Sequence, residues 1–390
     1  SVTRKSIILL FPILSTTTTT TSRSMTSTSA LNAATNNSNK CLVYGTGGIV
    51  QTSVSTAPQQ IPSNHILVQV HAVGLNPVDA KHKIGDKFPS FLNSFSQRLV
   101  KGLTIGFEFS GTVAGTNDND NDNDYKIGDE VFGSMPPLSG TLSEYIVAPN
   151  HQVCRKPSTL SFAEAACVPL VGLTAVQALQ PYAASGSTSI AIVGASGGAG
   201  HMALQVAKEL GFTTRIAICS TANMAFCTSL GATHVIDYTR NQVVADLAEH
   251  VGGGSVDIIL DCVTSVEARD AKHGYSQKLL PLCNTKYIRL GGPTIGWFYA
   301  GCERLLHIPC FWGKDKLFWI RFPKSSDELA LLAKWCSGKG GLKPHISTPS
   351  IDFSAEAVQQ AFDAILGRHV KGKLVVEIIK TADDPAVVAG

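Results

Sequence analysis

The sequence predicts an α/β fold, a doubly wound parallel sheet set beside a small β-barrel, on three observations. The first is the stretch from Ile190 to Gly211, where the apolar run Ile190–Val193 feeds a turn of small residues and Ala199, Ala203, Val206 and Leu210 then recur at helical spacing. The second is the strand and helix alternation that follows: Arg215–Cys219, a helix around Asn223–Leu230 ended by Gly231, Val235–Asp237, a helix near 241–250, Asp257–Cys262 and Tyr287–Leu290. The third is a series of short, turn-punctuated strands nearer the N-terminus, among them Cys41–Tyr44, Ile66–Val73, Gly106–Gly115 and Tyr125–Phe132, which suits a barrel.

The glycine turn is the most informative element. Gly194 permits a sharp exit from the strand, Gly197 and Gly198 remove Cβ atoms that would keep a phosphate from backbone N–H groups, and Gly200 lets helix and strand pack closely. With Ala195, Ser196 and Ala199 they complete a strand, turn and helix. Its helix offers unpaired N–H donors and the positive end of its dipole to a pyrophosphate. The context before and after the turn supports dinucleotide binding.

At 390 residues the length suggests two domains, and 44% apolar with 16% charged residues describes a globular, enzyme-like chain. No stretch reaches the roughly 18–20 apolar residues of a membrane span. Residues 1–39 contain no Asp or Glu, are dense in Ser and Thr and include the Thr16–Thr21 run, a composition that does not fold. This leader carries Arg4, Lys5 and Arg23, which account for the whole net charge of +3 and leave a neutral remainder, so nucleic acid is not expected as a partner. Arg4 and Lys5 ahead of Ile7–Leu14 resemble a secretory signal, but the acid-free, Ser-rich character favours a transit peptide, mitochondrial ahead of plastid. A start at Met25, with a cytoplasmic product, stays open. The ten cysteines form no Cys-x-x-Cys and are expected as free thiols in a reducing compartment.

In the first folded part, Asn117–Asp124 alternates Asn and Asp but lacks the glycine turn and distal Glu of a calcium loop, and reads as a solvated hairpin tip. In the second, an NAD site usually places an acidic residue at the end of the second strand. Between Glu209 and Asp237 there is none, and Ser220 and Thr221 stand there instead, hydroxyls that suit a 2′-phosphate and hence NADPH. Tyr238 and Arg240 follow the third strand, and Gly291 closes the strand at 287–290.

Gly-Leu-Asn76-Pro-Val-Asp79, Gly-Asp129-Glu-Val, Gly140-Thr-Leu-Ser-Glu144-Tyr145, Pro169-Leu-Val-Gly172-Leu-Thr174-Ala and the Gly194 turn occur in one order. Together they resemble the medium-chain dehydrogenase/reductase superfamily, its zinc-free quinone oxidoreductase branch, and within that the reticulon-4-interacting mitochondrial oxidoreductases. The resemblance implies a GroES-like catalytic barrel over 40–165, completed by 325–380, and a Rossmann domain over 166–324. A catalytic zinc of this superfamily needs a Cys or Asp near Asn76, a His-Glu pair near Gly106 and a further Cys. Here the positions hold Asn76-Pro77 and Phe107-Glu108, and Phe132–Gly140 lacks the cysteines of a structural zinc lobe, so no metal is expected.

The resemblance also puts Asn76 and Thr174 beside the nicotinamide, donating to and accepting from its ribose and carboxamide, and implies a cofactor role for Tyr238. Asn76-Pro77 also reads as an ordinary turn. Lys81 is the candidate electrophile for an enolate, against a plain surface lysine, while His82 reads as structural and Glu108 as a buried, hydrogen-bonded carboxylate. Aromatics over 294–322 suit a substrate wall, a homodimer contact or plain core. The expected activity is zinc-independent hydride transfer from NADPH to a quinone or an enone. The alternatives are an enoyl-thioester reductase and a cofactor-binding interaction protein with vestigial catalysis.

Overall fold

The computed structural model describes residues 38–81, 100–117, 124–136, 138–240, 242–251, 254–263, 275–291, 313–318, 320–321, 325–347 and 349–380. The leader up to residue 37, most of the acidic tip, His82, the Lys81 side chain and nearly all of the aromatic segment fall outside the described residues.

An antiparallel hairpin opens the described chain, β1 (Ser38–Tyr44) against β2 (Val50–Thr56). The first large sheet then takes β3 (His65–Leu75), followed by the short helix α1 (Pro77–Lys81), β4 (Glu108–Thr116), β5 (Glu130–Ser134), β6 (Tyr145–Pro149) and β7 (Val153–Arg155). Helices α2 (Phe162–Ala166) and α3 (Pro169–Ala184) lead out of it. Ser161 caps α2 and Glu164 reaches back to the Ser161 N–H, a reciprocal box that fixes where the chain turns.

The second sheet is wholly parallel. Its strands are β8 (Ser189–Val193), β9 (Thr214–Cys219), β10 (His234–Asp237), β11 (Val256–Asp261), β12 (Cys283–Arg289) and β13 (Asp315–Leu317), ordered β10-β9-β8-β11-β12-β13. Helices α4 (Gly198–Glu209), α5 (Met224–Ser229) and α6 (Val243–His250) connect the first of them. The order reverses at β8, which pairs with β9 on one side and β11 on the other. That central position buries both of its faces, which is why Ile190–Val193 is apolar at every residue rather than alternating.

After α7 (Ser325–Ser337) the chain returns to the first sheet through β14 (Ile351–Asp352), α8 (Ala355–Gly367) and β15 (Leu374–Glu377). That sheet reads β14-β15-β3-β4-β5-β7, with β6 on β3. Val358 and Phe362 of α8 join Val68, Phe109 and Val131 in one core, while the parallel sheet has a core on each face. Residues 343–347 read as strand-like in sequence, but among the described residues they are extended chain with the isolated Ile346–Lys373 bridge and no strand. Pro344 removes a ladder donor there.

Candidate cofactor and active site

Gly194 lies at φ +75°, a left-handed conformation that suits glycine and turns the chain out of β8. A Cβ on Gly200 would stand 2.2 Å from the Gly194 carbonyl oxygen, so the close contact of helix and strand requires that glycine. On Gly197 a Cβ would meet nothing nearer than 3.5 Å, so the bare backbone there leaves space above the turn. No side chain caps the N-terminus of α4, which keeps its donors for a ligand. This cradle fits the pyrophosphate of a dinucleotide.

His201 braces the turn from behind. It is fully buried, its Nδ1 lies 3.0 Å from the Gly197 carbonyl oxygen, and its Nε2 accepts from the His345 N–H at 3.2 Å. These partners require the neutral Nδ1–H form, and burial, the larger cause, pushes the imidazole down to about 4.

The barrel meets the turn at Gly372 and Lys373. Gly372 donates its N–H to the Ser196 carbonyl oxygen at 2.9 Å, and the Lys373 stem lies 3.2 Å from where a Gly198 Cβ would stand. The Lys373 ammonium continues into the barrel and donates to the Leu75 carbonyl oxygen (2.9 Å), Asn76 Oδ1 (2.6 Å) and Glu108 Oε1 (2.6 Å). Asn76 Nδ2 donates to Glu108 Oε1 at 2.8 Å, and Glu108 Oε2 accepts from the Leu170 N–H at 2.7 Å. All three side chains are buried. Removing one partner of such a pair costs about 3–5 kcal/mol, because the other charge is stranded out of water.

Asp79 completes the backbone side of this group. Its Oδ2 accepts from the Asn76 N–H at 2.8 Å, and complete burial raises its carboxyl to about 7 despite that bond and the nearby Lys373. Phe107, Leu170 and the partly buried Ile320 pack together beside the network and make an apolar wall.

At the other end of the turn, Asn223 Nδ2 donates to both Ser196 Oγ (3.1 Å) and Ser220 Oγ (3.2 Å). Each serine oxygen acts as acceptor there, which leaves its own proton for a ligand. Thr221 differs: its hydroxyl donates to the Asp237 carboxylate, so it has no proton to offer a phosphate. Thr221 first and then Thr239 hold Asp237 below the usual carboxylate range. A cavity of about 530 Å³ opens here, lined in part by Thr221, Asp237, Thr239 and Arg240.

Residues 62–158 match the alcohol dehydrogenase GroES-like domain family and residues 230–376 the zinc-binding dehydrogenase family. The chain is 31% identical over 339 residues to the human mitochondrial NAD(P)H oxidoreductase RTN4IP1, covering 81% of this chain and 82% of that protein. It is 30% identical to the trans-enoyl reductase pgmF of Aspergillus terreus, over 82% of this chain and 88% of the relative. This chain belongs to the medium-chain dehydrogenase/reductase superfamily. Within that superfamily it falls on the quinone-oxidoreductase-like branch. The quinone oxidoreductase structure from Coxiella burnetii superposes with a TM-score of 0.68 at 27% identity, covering 87% of this chain and 99% of the other. These relatives make the protein an oxidoreductase that uses a nicotinamide cofactor.

The zinc in one of those family descriptions does not fit this dehydrogenase/reductase's residues. An amide, a phenyl ring and a carboxylate whose two oxygens already hold an ammonium, an amide and a backbone N–H do not make a zinc tetrahedron. Among the described residues no three His, Cys, Asp or Glu side chains gather in a set that can hold a metal ion. The eight described cysteines are free.

The structure brings nearly all the residues singled out from the sequence to one edge. Gly194–Gly200, Ser220, Thr221, Tyr238 and Gly291 lie at the carboxyl ends of successive parallel strands. Asn76 reaches the turn by way of Lys373. Thr174 sits one turn along α3 from Leu170 and spends its hydroxyl proton on the Leu170 carbonyl oxygen, 2.7 Å away. Lys81 closes α1, with its side chain outside the described residues. Sequence reasoning missed Lys373 and His201. For Lys373 a signal existed: a cation directly at the head of the apolar strand Leu374–Val376.

Proposed function

We propose that the protein reduces quinones or enones with NADPH, and does so without zinc. The nicotinamide, when bound, supplies the hydride, so an acceptor needs only an electron-poor double bond. The observation that carries the cofactor preference is the pair of hydroxyls on Ser196 and Ser220, both accepting from Asn223, with no carboxylate on β9. Tyr238 and Arg240 stand exposed just past the end of β10, the strand next to β9, and favour an anionic phosphate. The Asp237 carboxylate opposes one, but Thr221 and Thr239 engage both its oxygens. In the barrel, Asn76 orients the reacting half of the dinucleotide and the Phe107–Leu170–Ile320 wall favours an apolar acceptor while excluding water.

The test is consumption of NADPH and NADH against quinones, enones and enoyl-thioesters. The expected result is at least tenfold higher kcat/KM with NADPH and turnover of a quinone or an enone. Tight NADPH binding with no turnover of any acceptor refutes the enzymatic reading. Metal analysis of the purified protein should find zinc far below one equivalent. Turnover confined to enoyl-thioesters establishes the second reading, which the pgmF relationship favours. A mitochondrial location, suggested by the RTN4IP1 relatives, is checked by imaging the full chain in cells.

A further inference from the structure

We propose that Lys373 and Glu108 lock Asn76 as a pure hydrogen-bond acceptor, and that Asn76 receives a proton from a hydroxyl or amide on the nicotinamide half of the dinucleotide. This rests on the cofactor reading above. It goes further by fixing which partner donates and by assigning a positioning residue that lies 297 residues away in sequence from the asparagine it sets.

A side-chain amide has two N–H donors and an oxygen with two acceptor sites. In Asn76 both donors are taken, by Glu108 Oε1 at 2.8 Å and by the Gly74 carbonyl oxygen at 3.3 Å. The oxygen receives one proton, from Lys373 at 2.6 Å, which leaves one acceptor site. Turning the amide over would set its NH₂ against the ammonium and its oxygen against the carboxylate, so neighbouring charge fixes the orientation. Lys373 cannot stand in as the donor, because its three protons go to Leu75, Asn76 and Glu108. Glu108 accepts from Lys373 and Asn76 on Oε1 and from Leu170 on Oε2, and as a carboxylate it offers no donor either. Within this group no donor is left for a ligand, and Asn76 keeps one acceptor site.

The lock is also mounted on the cofactor turn. Gly372 bonds to Ser196 and the Lys373 stem packs at Gly198, so the two adjacent residues Gly372 and Lys373 touch the turn, and Lys373 also sets the asparagine. A dinucleotide whose adenosine lies toward Ser220 and whose pyrophosphate rests on the turn carries its other half toward β11 and β12, past the point where the strand order reverses. Lys373 therefore couples the phosphate grip to the orientation of the ring.

The experiment measures the Kd of NADPH and of 2′,5′-ADP, which lacks the nicotinamide half, for the wild type, Asn76→Ala and Lys373→Met. Asn76→Ala leaves the Lys373–Glu108 pair intact and folds even if Lys373→Met does not. The expected result is a loss of at least tenfold for NADPH in either variant, with 2′,5′-ADP within twofold of wild type. Transfer from NADPH deuterated on one face of the nicotinamide should be specific to that face in the wild type and become mixed in Asn76→Ala. Equal losses for both ligands, or none for either, overturn the lock. A wild type that binds neither ligand overturns the cofactor reading itself, and the lock with it.

Discussion

Asp79 is a carboxyl that the fold holds against its own ionisation. Its pKa rises from 3.8 unfolded to about 7 folded, so the folded chain binds a proton there that the unfolded chain has already lost. Its contribution to stability is complete below the unfolded value and falls away as the pH climbs through about 7. Asp79→Asn keeps an oxygen for the Asn76 N–H and removes the charge. Thermal denaturation should show the variant gaining on wild type at pH 8 relative to its standing at pH 5. His201 has the opposite sign: its stabilisation is present above pH 6.5 and is lost as the pH falls through about 4. Asn76 shows the limit of reading single residues. Its spacing from Asp79 marks a turn and its neighbours mark a family, but its inability to donate depends on Glu108 and Lys373, 32 and 297 residues away. No local pattern carries that information.

At the level of elements the strand, turn and helix at 189–209 were legible because each glycine does a different geometric job. That division gives a paired prediction. Gly200→Ala drives a methyl into the Gly194 carbonyl and should cost about 1–3 kcal/mol in a denaturant melt. Gly197→Ala makes only an ordinary contact, 3.5 Å to the Gly194 carbonyl oxygen, so it should melt like wild type yet bind NADPH at least tenfold more weakly by fluorescence titration. Helix α3 was not legible as a helix. It is buried along most of its first ten residues and apolar all round, so no polar stripe marks a period, and Pro181 sits inside it. The polar, exposed β2 was missed for the converse reason: only Val50 is buried, and nothing alternates strongly.

Over the whole molecule, the fold class was legible because alternation of strands and helices leaves few arrangements open, whereas the meeting of the two sheets was not. One core joins Phe132 of the barrel to Leu173, Ile192 and Leu332, so the two parts should unfold together. NADPH at a hundred times its Kd should add about 2.7 kcal/mol and raise a single calorimetric transition. Two separate transitions, only one of them shifted, would contradict this.

β3 sits between β4 and β15, and its Leu75 lies opposite Leu374. Lys373, which bonds to the Leu75 carbonyl oxygen, is 298 residues downstream. A ribosome adding about 5–20 residues per second needs roughly 15–60 s to cover that distance. Once β6 has covered His65–Gln69, the stretch Ala72–Leu75 of β3 still keeps an open edge for the rest of that interval, a template for pairing with another chain. The yield of active protein should therefore depend on translation speed and on holdase chaperones more strongly than the stability of the finished molecule would suggest.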